Sequence, residues 1–211
     1  INLGSNGHIG VTMPQILTYQ REVRSFAALG GFEQAGYEFS GAGAPAKISA
    51  ARVSAGIFPL LGVAPLMGRT FTQQEDHGGQ LVTVISYSMW SSRFSRDPKI
   101  LGRKIELNRK TYEIIGVMPR GFEFPLIPGL LDQSRLWVPL SPTPDEMKEA
   151  AAWCCGMVGR LEPGVTPAQA QQDAGRVARQ ITRDFPAYMS GQRIGAMVRP
   201  LAEDTVTRAR P

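Results

Sequence analysis

The chain has 211 residues, with 23 Lys and Arg against 18 Asp and Glu, a net charge of +5. Hydrophobic residues make up 43% and charged residues 19%, which supports a packed core and excludes wholesale disorder. The best uncharged run, Val53 to Gly68, is interrupted by Gly56, Pro59, Gly62 and Pro65 and falls short of the roughly 20 apolar residues that cross a bilayer.

The first residues lack the basic start and apolar run of a signal peptide. The chain begins without Met and ends at Arg210-Pro211, so the expectation is a segment of a larger protein, its localisation set elsewhere. In chain order, a short apolar run, His8 to Val11, precedes Thr12-Met13-Pro14-Gln15. Thr three residues before Gln, with Pro between, predicts a capped helix start. Ile16, Gln20, Val23 and Ala27 then step by helical period, and Gly30-Gly31 is expected to close the helix. Ala35 to Phe39 and the alternating Lys47 to Val53 read as strands.

Gly41-Ala42-Gly43-Ala44-Pro45-Ala46 fits a loose GxGxxA pattern. Its position between two strands predicts a hairpin loop, not the strand-to-helix turn that binds a dinucleotide. Leu81 to Ser86 reads as a strand, Tyr87 to Phe94 as a short helix, and Lys104 to Leu107 with Tyr112 to Val117 as a hairpin turning at Asn108-Arg109-Lys110. A proline- and glycine-rich stretch from Pro119 to Gly129 reads as a long loop before a strand at Leu136-Trp137-Val138. The second capped helix starts at Thr166-Pro167-Ala168-Gln169 and carries the stripe Ala170, Ala174, Val177, Ile181 and Phe185, stopped by Pro186. Met157 to Leu161 before it and Ile194 to Leu201 after it read as strands.

The two ends thus repeat one strand–helix–strand pattern. The expectation is an α+β fold: residues 1–65 and 151–211 form one subdomain, and residues 66–150 form an inserted β-rich lobe.

Residues able to carry chemistry are sparse. There is no GxxxxGK[ST] loop to cradle ATP. The two histidines are His8 and His77, the latter in the acidic stretch Glu75-Asp76-His77-Gly78-Gly79, which lacks the second histidine or spaced cysteines a zinc site needs. No GxSxG elbow is present, and the adjacent Cys154-Cys155 read as two small thiols. No catalytic, cofactor-binding or metal-binding residue is assigned, and no cofactor is expected. The whole net charge sits between Arg93 and Lys110, where Arg93, Arg96, Lys99, Arg103, Lys104, Arg109 and Lys110 outnumber Asp97 and Glu106. That stretch fits either a solvated hairpin face or a surface for an anionic partner. Stacking aromatics or a recognition helix, which a nucleic-acid module would add, are not evident.

Several motifs follow one another in order: Val53-Ser54-Ala55-Gly56-Ile57-Phe58-Pro59-Leu60-Leu61-Gly62-Val63, Pro65-Leu66-Met67-Gly68-Arg69-Thr70-Phe71, Val84-Ile85-Ser86-Tyr87-Ser88-Met89-Trp90 and Leu101-Gly102-Arg103. Gly116-Val117-Met118-Pro119-Arg120-Gly121-Phe122, Leu136-Trp137-Val138-Pro139-Leu140 and Gly159-Arg160-Leu161-Glu162-Pro163-Gly164 complete the series. The series resembles the extracytoplasmic (periplasmic) core domain of MacB-like, FtsX-type ABC transporter permeases, nearest to the acidobacterial-type permeases.

The resemblance implies a porter-like subdomain made from both chain ends with a β-rich lobe inserted. It implies a domain lying between two membrane helices, in the periplasm or its equivalent, with Thr205 to Pro211 leading into the second. Implied partners are the protein's own transmembrane helices, a second permease copy or half, a cytoplasmic ATPase and a periplasmic adaptor, and not nucleic acid. The implied role is non-catalytic coupling of ATP hydrolysis to export, lipoprotein release or cell-wall control. Gly68, Gly102, Gly116 and Gly121 are expected at turns, and Trp90 and Trp137 in the core or a lobe interface. A free-standing periplasmic binding protein on the same fold is the alternative, and a hydrolase using His8 or His77 is a third reading.

Overall fold

The computed structural model describes residues 2–3, 10–41, 44–125, 133–149, 152–184 and 195–201. Its elements in chain order are β1 (Asn2–Leu3), α1 (Met13–Glu22), β2 (Phe26–Ser40), β3 (Ala46–Val53), α2 (Ile57–Leu61), β4 (Met67–Gly68), α3 (Gln73–Gly78) and β5 (Val82–Ile85). They continue with α4 (Tyr87–Phe94), β6 (Lys104–Leu107), β7 (Lys110–Val117), β8 (Leu136–Pro139), β9 (Cys155–Leu161), α5 (Pro167–Asp184) and β10 (Ala196–Met197). The chain divides into two compact units, Ile1–Gly31 with Pro142–Pro211, and Phe32–Ser141. The central unit starts earlier and ends earlier than the 66–150 expected from sequence. The reason is non-local pairing: β2 and β3 take partners from β6 and β8.

In the unit built from both ends, β1 pairs antiparallel with β10, and Val11 exchanges backbone hydrogen bonds with Cys155 at 2.7 and 3.0 Å. At the start of α1, the Thr12 N–H donates to the Gln15 side chain at 3.3 Å. At the start of α5, Thr166 and Gln169 cap each other reciprocally, at 2.8 and 3.3 Å. Helix α5 buries Ala170, Ala174, Val177, Ala178 and Ile181, the expected stripe; Phe185 and Pro186 lie outside the described residues, as do His8, Ile194 and Thr205 to Pro211.

The first helix is shorter than its periodicity suggested. It stops at Glu22, and the residues expected to continue it enter strand β2. Helix α5 imposes the stop. The Arg176 guanidinium donates to the Glu22 carbonyl at 2.7 Å, and the Asp173 carboxylate accepts from the Arg24 and Ser25 N–H groups at 2.8 and 3.0 Å. Gly31, expected as a helix cap, sits in the strand instead. A Cβ there would stand 2.6 Å from the Ile16 side chain, so a larger residue would require Ile16 to shift.

In the central unit six strands pair in the order β3-β8-β5-β7-β6-β2, and β2 pairs again with β3. The ring is therefore closed and leaves no long free edge. Pairs β3–β8 and β5–β7 are parallel and the rest antiparallel, so the sheet is mixed. The β6–β7 turn uses Asn108 at φ 50° and Arg109 at φ 63°, the double positive-φ geometry of a tight hairpin. Asn108 also accepts the Glu38 N–H at 2.8 Å, pinning the turn to β2. Phe39, Ile85, Met89, Phe94, Ile100, Ile105, Leu107, Ile114 and Leu136, from strands, helix α4 and the segment after it, pack as one buried core cluster.

Candidate functional site

The motif residues of the central unit serve its architecture. Gly68 and Gly116 face each other across β4 and β7. A Cβ on Gly68 would collide with the Ile115 carbonyl oxygen, and one on Gly116 with the Arg69 carbonyl oxygen. Gly102 and Gly121 lie in turns with φ of 81° and 77°, as expected, whereas Gly68, at φ 72°, sits in strand β4 rather than in a turn. Gly116 likewise sits inside strand β7, where backbones approach closely. Trp137 is fully buried, donates to the Phe124 carbonyl at 2.7 Å, and packs with Phe58 and Phe122 at ring separations of 6.0 and 5.3 Å. Trp90 lies partly buried against the core and donates to the Asp97 carbonyl at 2.9 Å.

The acidic stretch around His77 lies on the short helix α3. Its start is a Thr72–Glu75 capping box, a T-x-x-E pattern present in the sequence. Glu75 is 5% exposed and meets the Arg69 guanidinium through two contacts of 2.7 and 2.8 Å. That ion pair, helped by the Thr72 N–H and hydroxyl, holds the Glu75 carboxyl down at about 2. Asp76 accepts from the Ala55 and Ser141 N–H groups at 3.0 and 3.1 Å. The exposed His77 ring lies 2.7 Å from the Gln73 carbonyl. Among the described residues no cluster of His, Cys, Asp and Glu could hold a metal. Cys154 is exposed, Cys155 is buried, and the two are not bridged.

Arg52, which no sequence motif singled out, joins the points where the chain enters and leaves the central unit. From β3 it pairs with Glu33 at 2.8 Å and donates to the carbonyls of Leu140 at 3.0 Å and Ser141 at 3.3 Å. One planar guanidinium with five N–H donors can hold all three partners, which a lysine cannot.

The basic segment is dispersed over several surfaces. Arg103 stacks over Phe94 at 5.0 Å and faces Asp97 at 3.8 Å. Arg93 lies 5.3 Å over Phe39 and donates to the Ala44 carbonyl at 2.8 Å. Arg109 sits in the hairpin turn. Two grooves of about 410 Å³ each border α4. The first includes Tyr87, Ser91, Arg120 and Glu123; the second includes Lys47, Ser49, Arg93 and Arg135; both share Ser88 and Gln133. The Arg120 guanidinium hydrogen-bonds the Tyr87 hydroxyl and, with Arg96 near, lowers the pKa of that phenol.

The family model described as "MacB-like periplasmic core domain" matches residues 3–177. No curated protein matches the chain. Among solved structures, the extracellular domain of the noncanonic ABC-type transporter YknZ from Gram-positive bacteria is similar at 15% identity and TM-score 0.65, over 95% of this chain and 97% of that one. The periplasmic region of MacB from Actinobacillus actinomycetemcomitans matches at 13% identity and TM-score 0.66, over 96% and 85%. A domain of a permease protein from Porphyromonas gingivalis matches at 12% identity and TM-score 0.62, over 94% and 86%. These likenesses establish the α+β fold with a mixed sheet over nearly the whole chain.

Proposed function

The chain belongs to the family of MacB-like periplasmic core domains, and from that premise we propose that it works by movement rather than by chemistry. ATP hydrolysed by a separate cytoplasmic subunit moves the permease's membrane helices. The extracytoplasmic domain passes that movement to cargo, to a periplasmic adaptor or to a second permease copy. Export of a molecule, lipoprotein release and cell-wall control are the tasks such coupling serves. Among the described residues no helix is long and apolar enough to cross a membrane.

The observation that carries this reading is the Arg52 clamp. A mixed barrel closed on itself, with its entry at Glu33 and its exit at Ser141 held by one guanidinium, resists local opening when pulled at those points. It transmits displacement as a body. Glu75 is committed to Arg69, and Asp76 to two backbone N–H groups, so both acids serve the architecture of the central unit.

The test is energy transfer between dyes at one exposed position, Lys99→Cys, carried by each of the two permease copies of the full transporter with Cys154→Ser and Cys155→Ala. The expected result is a transfer efficiency that changes with ATP and stays constant when the ATPase is catalytically dead. Identical efficiency with and without ATP would overturn the proposal.

A further inference from the structure

The groove that includes Lys47, Ser49, Arg93 and Arg135 is formed from three separate elements. Lys47 and Ser49 lie on β3, Arg93 on α4, and Arg135 immediately before β8. The parallel β3–β8 register places them together, and the Arg135 N–H donates to the Ser49 carbonyl at 2.8 Å. Neutral groups hold both guanidiniums in place: the Ala44 carbonyl and the Phe39 ring for Arg93, and the Ser92 hydroxyl at 3.0 Å for Arg135. Among the described residues no carboxylate lines this groove. Among the described residues, none of its three cations has an ion-pair partner. Elsewhere in the same unit Arg52, Arg69 and Arg103 each face an acid.

Arg93 and Arg135, oriented by neutral groups, and Lys47, which lies opposite Glu38 in the β2–β3 register without forming an ion pair, gather around a groove of about 410 Å³ as an anion-recognition surface. Its cations stand apart on separate elements, so they suit several separated charges better than one compact anion. Guanidinium forks match carboxylates geometrically, and the Ser88 hydroxyl and Gln133 amide can serve a peptide backbone. The neighbouring groove continues the track through those two shared residues to Arg120, with the Glu123 carboxylate on its far lining marking where the cationic stretch ends. The Tyr87 ring there has the Arg120 guanidinium 4.5 Å over it, so it is not an open platform for nucleobases.

We infer that this track docks an extended, Asp- and Glu-bearing polypeptide segment of a partner protein. The inference does not rest on the transport reading, since the isolated chain carries all of these residues. Fluorescein-labelled hexaglutamate, followed by anisotropy at low salt, is the probe. Binding should weaken by about tenfold or more on raising salt from about 25 to about 200 mM. The double variant Lys47→Glu/Arg135→Glu should bind about tenfold less tightly or worse, and Lys47→Glu alone about threefold, both with unchanged far-UV circular dichroism. Arg109→Glu/Lys110→Glu, at the hairpin tip, should bind within about twofold of the unmodified chain. No binding by the unmodified chain would overturn the inference, as would equal loss in the hairpin variant. Equal or tighter binding of phosphatidylglycerol vesicles or oligothymidylate through the same residues would also overturn it, assigning the track to another anion.

Discussion

Alanine at Gly116 should destabilise the central unit by about 3 kcal/mol. The added Cβ meets the Arg69 carbonyl oxygen, a backbone atom, so no side chain can swing aside to admit it. Strand β4 would have to retreat from β7. Retreat lengthens the Leu66 N–H to Val117 carbonyl bond of 2.7 Å and the Arg69 N–H to Ile115 carbonyl bond of 3.0 Å, each worth about 1 kcal/mol. It also opens the cover over Ile115, Val117 and Met118, all buried, for roughly another 1 kcal/mol.

The assay is urea unfolding followed by tryptophan fluorescence in a Trp153→Phe background, where the signal arises from Trp90 and Trp137 in the central unit. Gly36→Ala is the control, because its Cβ would make an ordinary 3.5 Å contact with the Lys47 side chain; its change should stay within about 0.5 kcal/mol. Gly68→Ala strains the same contact and adds a φ of 72°, so the double variant should cost less than the sum of the two singles. A loss at Gly116 below about 1 kcal/mol, or equal to that at Gly36, would refute the close-approach argument.

Acid should weaken the central unit through Glu75. Its folded-state pKa lies below the unfolded value of 4.5, at about 2, so its contribution is complete above pH 4.5 and fades as pH falls toward 2. That drop in pKa corresponds to about 3 kcal/mol, reduced to about 1–2 kcal/mol because Arg69 faces solvent. Glu75→Gln should therefore flatten the dependence of the urea midpoint on pH between about 5 and 3; a slope equal to that of the unmodified chain would contradict the assignment.

Sequence made the locally determined elements legible. Helix α4 occupies the expected Tyr87 to Phe94, the β6–β7 hairpin turns at Asn108, and α5 buries the alanine stripe its spacing required. Distant partners decided what was not legible. The end of α1 is fixed by Asp173 and Arg176, far along the chain. The start of the central unit at Phe32 depends on pairing of β2 and β3 with β6 and β8. Helix α3 carries a readable capping box at Thr72 and Glu75, a local signal beside the charges of Asp76 and His77. The basic segment was visible as composition, yet only Arg93 of it reaches the groove, where Lys47 and Arg135 join it from β3 and the entry to β8.

The central claim, an external domain fixed to a membrane protein, is tested most directly at Cys154, the exposed one of the chain's two cysteines. In right-side-out spheroplasts expressing the full protein with Cys154 as its sole cysteine, a membrane-impermeant maleimide should label the intact cells. The labelled protein should remain in the membrane pellet after alkaline extraction. Labelling only after lysis, or labelled protein released into the soluble fraction, would contradict the account.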